Sequence, residues 1–131
     1  RVRVRERVLP MLETELGPGI AANLVRSAEL AREDADALDE IARLQLNQWL
    51  TVLAGGEGVQ LPILQLAMQP AAVRNRMIRE VARAHFASHL TQTHTHAIAA
   101  LVTDWRGQGP IHAPKMTVTR EGETLLFRSN A

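Results

Sequence analysis

Residues 20–54, IAANLVRSAELAREDADALDEIARLQLNQWLTVLA, decide the fold. Their apolar positions, Leu24, Ala28, Ala31, Ala35, Leu38, Ala42, Leu46, Trp49 and Leu53, recur in steps of mostly four and three. At 100° per residue they fall within a stripe about 80° wide, the pattern of an amphipathic helix. Glu29, Glu33, Asp36 and Glu40 lie on the opposite side. The pattern predicts one long helix from about Ile20 to Ala54. Gly55-Gly56-Glu57-Gly58 ends it and divides a linker and long-helix segment, 1–56, from a small C-terminal domain, 57–131. The alanines permit close approach of a partner helix, so the stripe from Leu24 to Leu53 also suits a homodimer.

Upstream, Val2, Val4 and Val8 alternate with arginines in a strand-like period of two, whereas Leu9, Leu12 and Leu16 keep helical spacing. Pro10 suits a first helical turn, where its missing N–H is not needed. A helix is expected from about Pro10, with the arginine stretch open between the two periods, and Gly17-Pro18-Gly19 stops it. Downstream, Val59 to Leu61 reads as extended. Pro70 opens a helix to about His85, with Val73, Met77, Ile78 and Val81 on its apolar face. Thr91 is a fitting N-cap for a further helix through Ile98, Leu101, Val102 and Trp105, broken at Gly107-Gln108-Gly109-Pro110. Met116, Val118 and Arg120 then alternate into a Glu121-Gly122-Glu123 turn, and Thr124 to Arg128 return as a β-hairpin, with Ile111 to Ala113 as a third short strand. The fold class expected is mainly α: a long amphipathic helix plus a small helical domain closed by a short C-terminal β-hairpin.

Composition narrows the function classes. The 131 residues are 46% hydrophobic, enough for a globular core. There is no cysteine, which excludes disulfides and cysteine-ligated metal sites. Tyrosine is absent and aromatics are 3%, which argues against a base-stacking surface. No apolar run approaches the roughly 20 residues that span a bilayer, and no leader pattern appears, so the cytoplasm is the expected location. Position 1 is Arg rather than Met, and the chain is expected to be a piece of something longer.

The net charge of +1 conceals an uneven distribution. The first seven residues carry four Arg and one Glu. Arg26 to Trp49 hold three Arg against six acids, and Gln60 to Pro110 five Arg against two. Within the Pro70 helix, Arg76, Arg79 and Arg83 fall within about 60° of one another, opposite Met77 and Val81. Such a row of fixed guanidinium forks suits phosphate oxygens, and it equally suits a solvated surface. Arg74 sits near the apolar seam, where it serves a buried carboxylate or the fold itself.

Other chemistry is poorly supported. His85, His89, His94 and His96 crowd together, but His94 and His96 are about 200° apart on a helix and no carboxylate joins them at ligand spacing, so no metal site is assigned. His94 is expected as a hydrogen-bonded core residue and the others as solvated. Ser27, Ser88 and Ser129 lack a glycine-flanked elbow, and no phosphate-cradling glycine loop is present. Asp34 and Asp36 lie on a solvated helix face. No catalytic residue is assigned.

The motifs, taken in order, resemble the bacterial tRNA(Ile)-lysidine synthase family, in its short actinobacterial form. The resemblance begins with Arg1-Val2-Arg3-Val4-Arg5-Glu6-Arg7-Val8-Leu9-Pro10 and Leu12-Glu13. It continues through Gly17-Pro18-Gly19, Asn23-Leu24, Arg26, Ala28 and Glu33-Asp34. Val73-Arg74-Asn75-Arg76-Met77-Ile78-Arg79 resembles the family's basic helix. Leu90-Thr91 with His94, Leu101 to Trp105 with Gly107-Gln108-Gly109, and Val118, Arg120, Gly122 and Leu125 complete it. Two positions depart: Val2 replaces a usual Asn, and Ala113-Pro114-Lys115 stands where Leu-Pro-Gly is typical.

The resemblance implies a ligase of tRNA modification that attaches lysine to the wobble cytidine of a CAU-anticodon isoleucine tRNA. ATP, with Mg, adenylates the base, and the lysine amine displaces AMP. That chemistry belongs to an N-terminal domain with a Ser-Gly-Gly-x-Asp-Ser loop, a motif this sequence lacks. The chain is then expected to be the tRNA-binding part, inactive alone and needing no cofactor of its own, with tRNA(Ile) and the N-terminal PP-loop domain as partners. Arg3 and Arg5 match the family's linker arginines, and Arg74, Arg76 and Arg79 its basic helix; with Arg83 on the same face, these six are the expected tRNA-binding residues. The alternative from a different class is a non-catalytic helical interaction or dimerisation module.

Overall fold

The computed structural model describes residues 1–130. Its contacts divide the chain into two units, the first ending at Ala37 and the second beginning at Leu38.

In the first unit the arginine stretch is helical from Val2 onward. Val4–Val8 form a π-helical turn, in which the Leu9 N–H reaches back to the Val4 carbonyl. It runs into α1, Leu9–Leu16, with Pro10 in the first turn. The strand-like period of Val2, Val4 and Val8 therefore does not decide the conformation. All three are exposed, and no strand among the described residues supplies the ladder bonds that an extended segment needs. Gly17, at φ +103°, ends α1. Glu13 then turns back to the next helix, α2, Ile20–Trp49. Its Oε2 accepts from Gly19 N at 2.9 Å and its Oε1 from Ala21 N at 2.8 Å. A carboxylate here satisfies orphan N–H groups and meets the positive end of the helix dipole.

α2 stops at Trp49, five residues before the expected Ala54. Thr51–Val52 leave the helix as β1, pairing with Gln60 and Val59, and Leu53 N donates to Gly58 O at 2.9 Å. Leu53 is thus in the turn and off the helical stripe. The stripe itself is used unequally. Ala42 and Leu46 are buried in the second unit's core with Leu38 and Trp49 against it, whereas Leu24 is exposed.

The second unit continues with β2, Val59–Pro62; α3, Ile63–Met68; α4, Ala71–Phe86; and α5, Gln92–Thr103. It closes with β3, Ile111–Ala113; β4, Met116–Glu121; and β5, Thr124–Ser129. The anticipated hairpin is β4–β5, with β3 on its outer side. It belongs to a larger object: an antiparallel five-stranded sheet in the order β1-β2-β5-β4-β3. The extended piece after the glycines pairs with the distant β5, Leu61 opposite Leu125. That contact spans most of the domain, so no local pattern announces it.

Alternation explains the core. Val59 and Leu61 of β2 and Met116 and Val118 of β4 point inward, and Phe127 of β5 is fully buried. They meet Val73, Met77, Ile78 and Val81 of α4 and Ile98 and Leu101 of α5. Gly58 makes the β2–β5 approach possible: a Cβ there would lie 2.2 Å from the Phe127 carbonyl oxygen. α5 ends at Thr103, before Trp105. Trp105 lies under the Arg120 guanidinium, 5.0 Å from ring centroid to Cζ. Gln108 donates to Asp104 O at 3.0 Å and Ala100 O at 3.4 Å, covering the carbonyls at the helix end.

Candidate nucleic-acid interface

Within the second unit, the last turns of α2 and the length of α4 enclose a groove of about 370 Å³. The i, i+3, i+7 spacing of Arg76, Arg79 and Arg83 brings all three to one wall. Asp39 and Arg43, four apart on α2, form the other wall with the small Ala42 between them. Ser88, His89 and Leu90 close one end.

That end is built with care. Ala87 is left-handed at φ +51° and donates to Arg83 O at 3.2 Å. Ser88 N donates to Ala82 O at 3.0 Å, so the two residues complete the C-terminal cap of α4. The Ser88 side chain is buried and its Oγ donates to Pro114 O at 2.5 Å, tying the cap to the β3–β4 turn. That turn is the two residues Pro114-Lys115, with Lys115 at φ +66°. Three residues further on, Thr91 Oγ1 accepts from His94 N at 3.1 Å, and His94 Nδ1 accepts from Thr91 N at 3.4 Å. His94 is therefore hydrogen-bonded as expected, but it is a half-buried capping residue and not part of the core. His85, His89 and His96 are exposed. Among the described residues no group of histidines and carboxylates is arranged to hold a metal ion.

The groove arginines differ in how they are held. Arg83 gives Glu80 two bonds, Nε to Oε2 at 3.0 Å and Nη2 to Oε1 at 2.6 Å. The hydrogen bond from Arg83 holds the Glu80 carboxyl below the usual glutamate value, and the same bond raises the Arg83 guanidinium. Arg76 Nε donates to Asp39 Oδ1 across the groove at 3.0 Å, and its Nη1 to Ala72 O at 3.1 Å. Arg43 is bonded to Glu40, which raises its guanidinium in turn. Arg79 is exposed and makes no hydrogen bond or ion pair among the described residues.

The remaining arginines lie elsewhere. Arg74 is half-buried, its Nε on Leu66 O at 3.0 Å and its Nη2 on Gln69 O at 2.8 Å. It fastens the end of α3 to α4, the fold-serving use that its seam position suggests. Arg3 and Arg5 are exposed on the first unit's helix. The structure thus brings Arg76, Arg79 and Arg83 together, and adds Asp39, Arg43, Glu80 and His89. Arg43 was hidden because the acidic residues dominate the reading of its helix. Its place one residue beyond buried Ala42 is the signal that aims it at the neighbouring helix.

A family model described as the TilS substrate binding domain matches residues 61–126. The chain is 49% identical over 127 residues to a tRNA(Ile)-lysidine synthase of Leifsonia xyli subsp. xyli, covering 97% of this chain and 38% of that protein. It is 43% identical over 116 residues to one from Thermobifida fusca, covering 87% and 34%. A relative from Streptomyces coelicolor is 40% identical over 136 residues, covering 98% and 36%. The chain spans between a third and two fifths of the length of these relatives.

Proposed function

The chain belongs to the TilS substrate binding domain family, and from this we propose that it is the part of a tRNA(Ile)-lysidine synthase that holds the tRNA, by its phosphate backbone, in the groove between α2 and α4. The observation that carries the reading is the wall of Arg76, Arg79 and Arg83 facing Arg43 across a groove of about 370 Å³. Guanidinium forks match phosphate oxygens in charge and in geometry. Arg79, exposed and unpaired, makes the first contact. Arg3 and Arg5 add a second basic surface on the first unit, and Arg74 acts by holding α4 in place.

In this reading the ligation itself, with ATP, Mg and lysine, belongs to a part of the enzyme outside these residues, and the complete enzyme works in the cytoplasm. No helix of the described residues is long and apolar enough to cross a membrane. The homodimer reading loses half of its surface, because the stripe from Leu38 to Trp49 packs into the chain's own core. A monomer at all concentrations in sedimentation removes it.

Filter binding of a tRNA(Ile) transcript across a salt series tests the main reading. Each phosphate contact should contribute about 0.9 to the slope of log K against log salt on duplex RNA, taking the double-stranded value. Arg76→Ala with Arg79→Ala should weaken binding and flatten that slope by one to two contacts. Affinity indifferent to salt and to both substitutions overturns the assignment. ATP should not bind this chain alone.

A further inference from the structure

Arg83 lines two pockets. One is the groove; the other, of about 540 Å³, lies at the C-terminal end of α4. The polar side chains of this second pocket are Arg83, His85, Lys115 and Ser129, and no acidic residue lines it. The groove differs, since Asp39 and Glu80 stand in its walls. Lys115 is the chain's one lysine. It is exposed, makes no ion pair among the described residues, and its Nζ donates to Ala87 O at 3.4 Å. An ammonium has three donors, so a second ligand can be taken while that bond is kept. No carboxylate has to be expelled to reach it. The position is held from three sides: Ser88 Oγ donates to Pro114 O, Asn130 N donates to Lys115 O at 3.1 Å, and the ammonium sits on the α4 cap. Lys115 is left-handed at φ +66°, a conformation that suits glycine better than lysine. The residue therefore carries a cation to the end of α4 against its own backbone preference.

We propose that Lys115, with Arg83 and His85, forms a further phosphate-binding subsite, which takes the RNA backbone onward from the groove and around the end of α4. This rests on the tRNA-backbone reading of the groove. The row Arg76, Arg79 and Arg83 spans about 10 Å along α4, and Lys115 extends it past the helix end. Arg83 is the shared member. Glu80 occupies two of its five N–H groups, and three remain for a phosphate. Because the Arg83–Glu80 pair is close to neutral, Lys115 supplies the net charge of the subsite, and His85 adds a ring N–H. Without a ligand the ammonium has another use, offsetting the partial negative charge at the end of α4. The two uses separate in what they change: one acts on stability, the other on affinity for RNA.

The test uses the full chain with Lys115→Gly, which suits the left-handed backbone, and with Lys115→Arg, which keeps the charge. The probe is a tRNA(Ile) transcript with a CAU anticodon, titrated at several salt concentrations, and thermal melting shows that each variant is folded. Lys115→Gly should weaken binding about threefold, the scale of an exposed ion pair. It should also lower the slope of log K against log salt by about 0.7–0.9. Lys115→Arg should bind as the unchanged chain does. Added to Arg79→Ala, Lys115→Gly should weaken binding further by the same factor, because the two cations meet separate phosphates. A melting temperature that falls in Lys115→Gly with affinity and slope unchanged assigns the lysine to the helix end alone and overturns the proposal. A Lys115→Arg chain as weak as Lys115→Gly overturns it too. If Arg79→Ala weakens binding and Lys115→Gly does not, the groove stands and the subsite falls. Binding indifferent to salt and to Arg79→Ala overturns the underlying reading as well.

Discussion

The two units contrast in how much of their sequence is committed to a core. Before Leu38 no residue is buried, although Val2, Val4, Met11, Leu24, Val25 and Leu30 are apolar. From Leu38 onward the core joins three helices, the end of α2 and a five-stranded sheet. The same amphipathic helix serves both: its stripe is exposed at Leu24 and buried at Leu46. A hydrophobic pattern therefore shows which face a helix can bury, and not whether anything covers it. Hydrogen exchange should report the contrast directly, with amides before Ala37 exchanging far faster than those of α4 and β5.

Substitutions can sharpen or break this contrast. The largest effect is expected at Phe127, where Phe127→Ala should remove about 4 kcal/mol by emptying the centre of the second unit. Gly58→Ala should follow at about 3 kcal/mol, since the added Cβ meets the Phe127 carbonyl oxygen and the backbone is at φ +146°. Within α2, Leu46→Ala should cost about 2–3 kcal/mol, while Leu30→Ala, at a residue 61% exposed, should stay within about 0.5 kcal/mol. Urea unfolding monitored by circular dichroism measures all four. Equal costs at Leu46 and Leu30 would remove the distinction between the units.

Acid should produce the smallest effect. The folded-state value of Glu80 is depressed, so its bond to Arg83 stabilises the fold above the ordinary glutamate value of about 4.3. That contribution is lost as pH falls through the lower folded value. Glu80→Gln should flatten the acid limb of stability against pH slightly, because Arg83 is exposed and Glu80 only half-buried.

Much of this was legible in the residues. Pro70 and Thr91 mark the starts of two helices because proline and threonine have defined uses at a helix N-terminus, and Gly122 marks the tip of the hairpin. The boundary of α2 was not legible, since Leu50 to Leu53 continue the helical period while their backbone follows β2. The pairing of β2 with β5 joins segments more than sixty residues apart. At the groove, the arginine row is readable from i, i+3, i+7 spacing. Asp39 and Arg43 are not, because they become neighbours of that row only after two helices pack.

Ser88 joins the cap of α4 to the turn between β3 and β4 by one short, part-buried bond. It acts as a mechanical rivet between the end of the groove and the sheet. Under the proposed reading, a strand of RNA pulling on Arg83 would pull against the sheet as well as the helix, because that rivet couples the two.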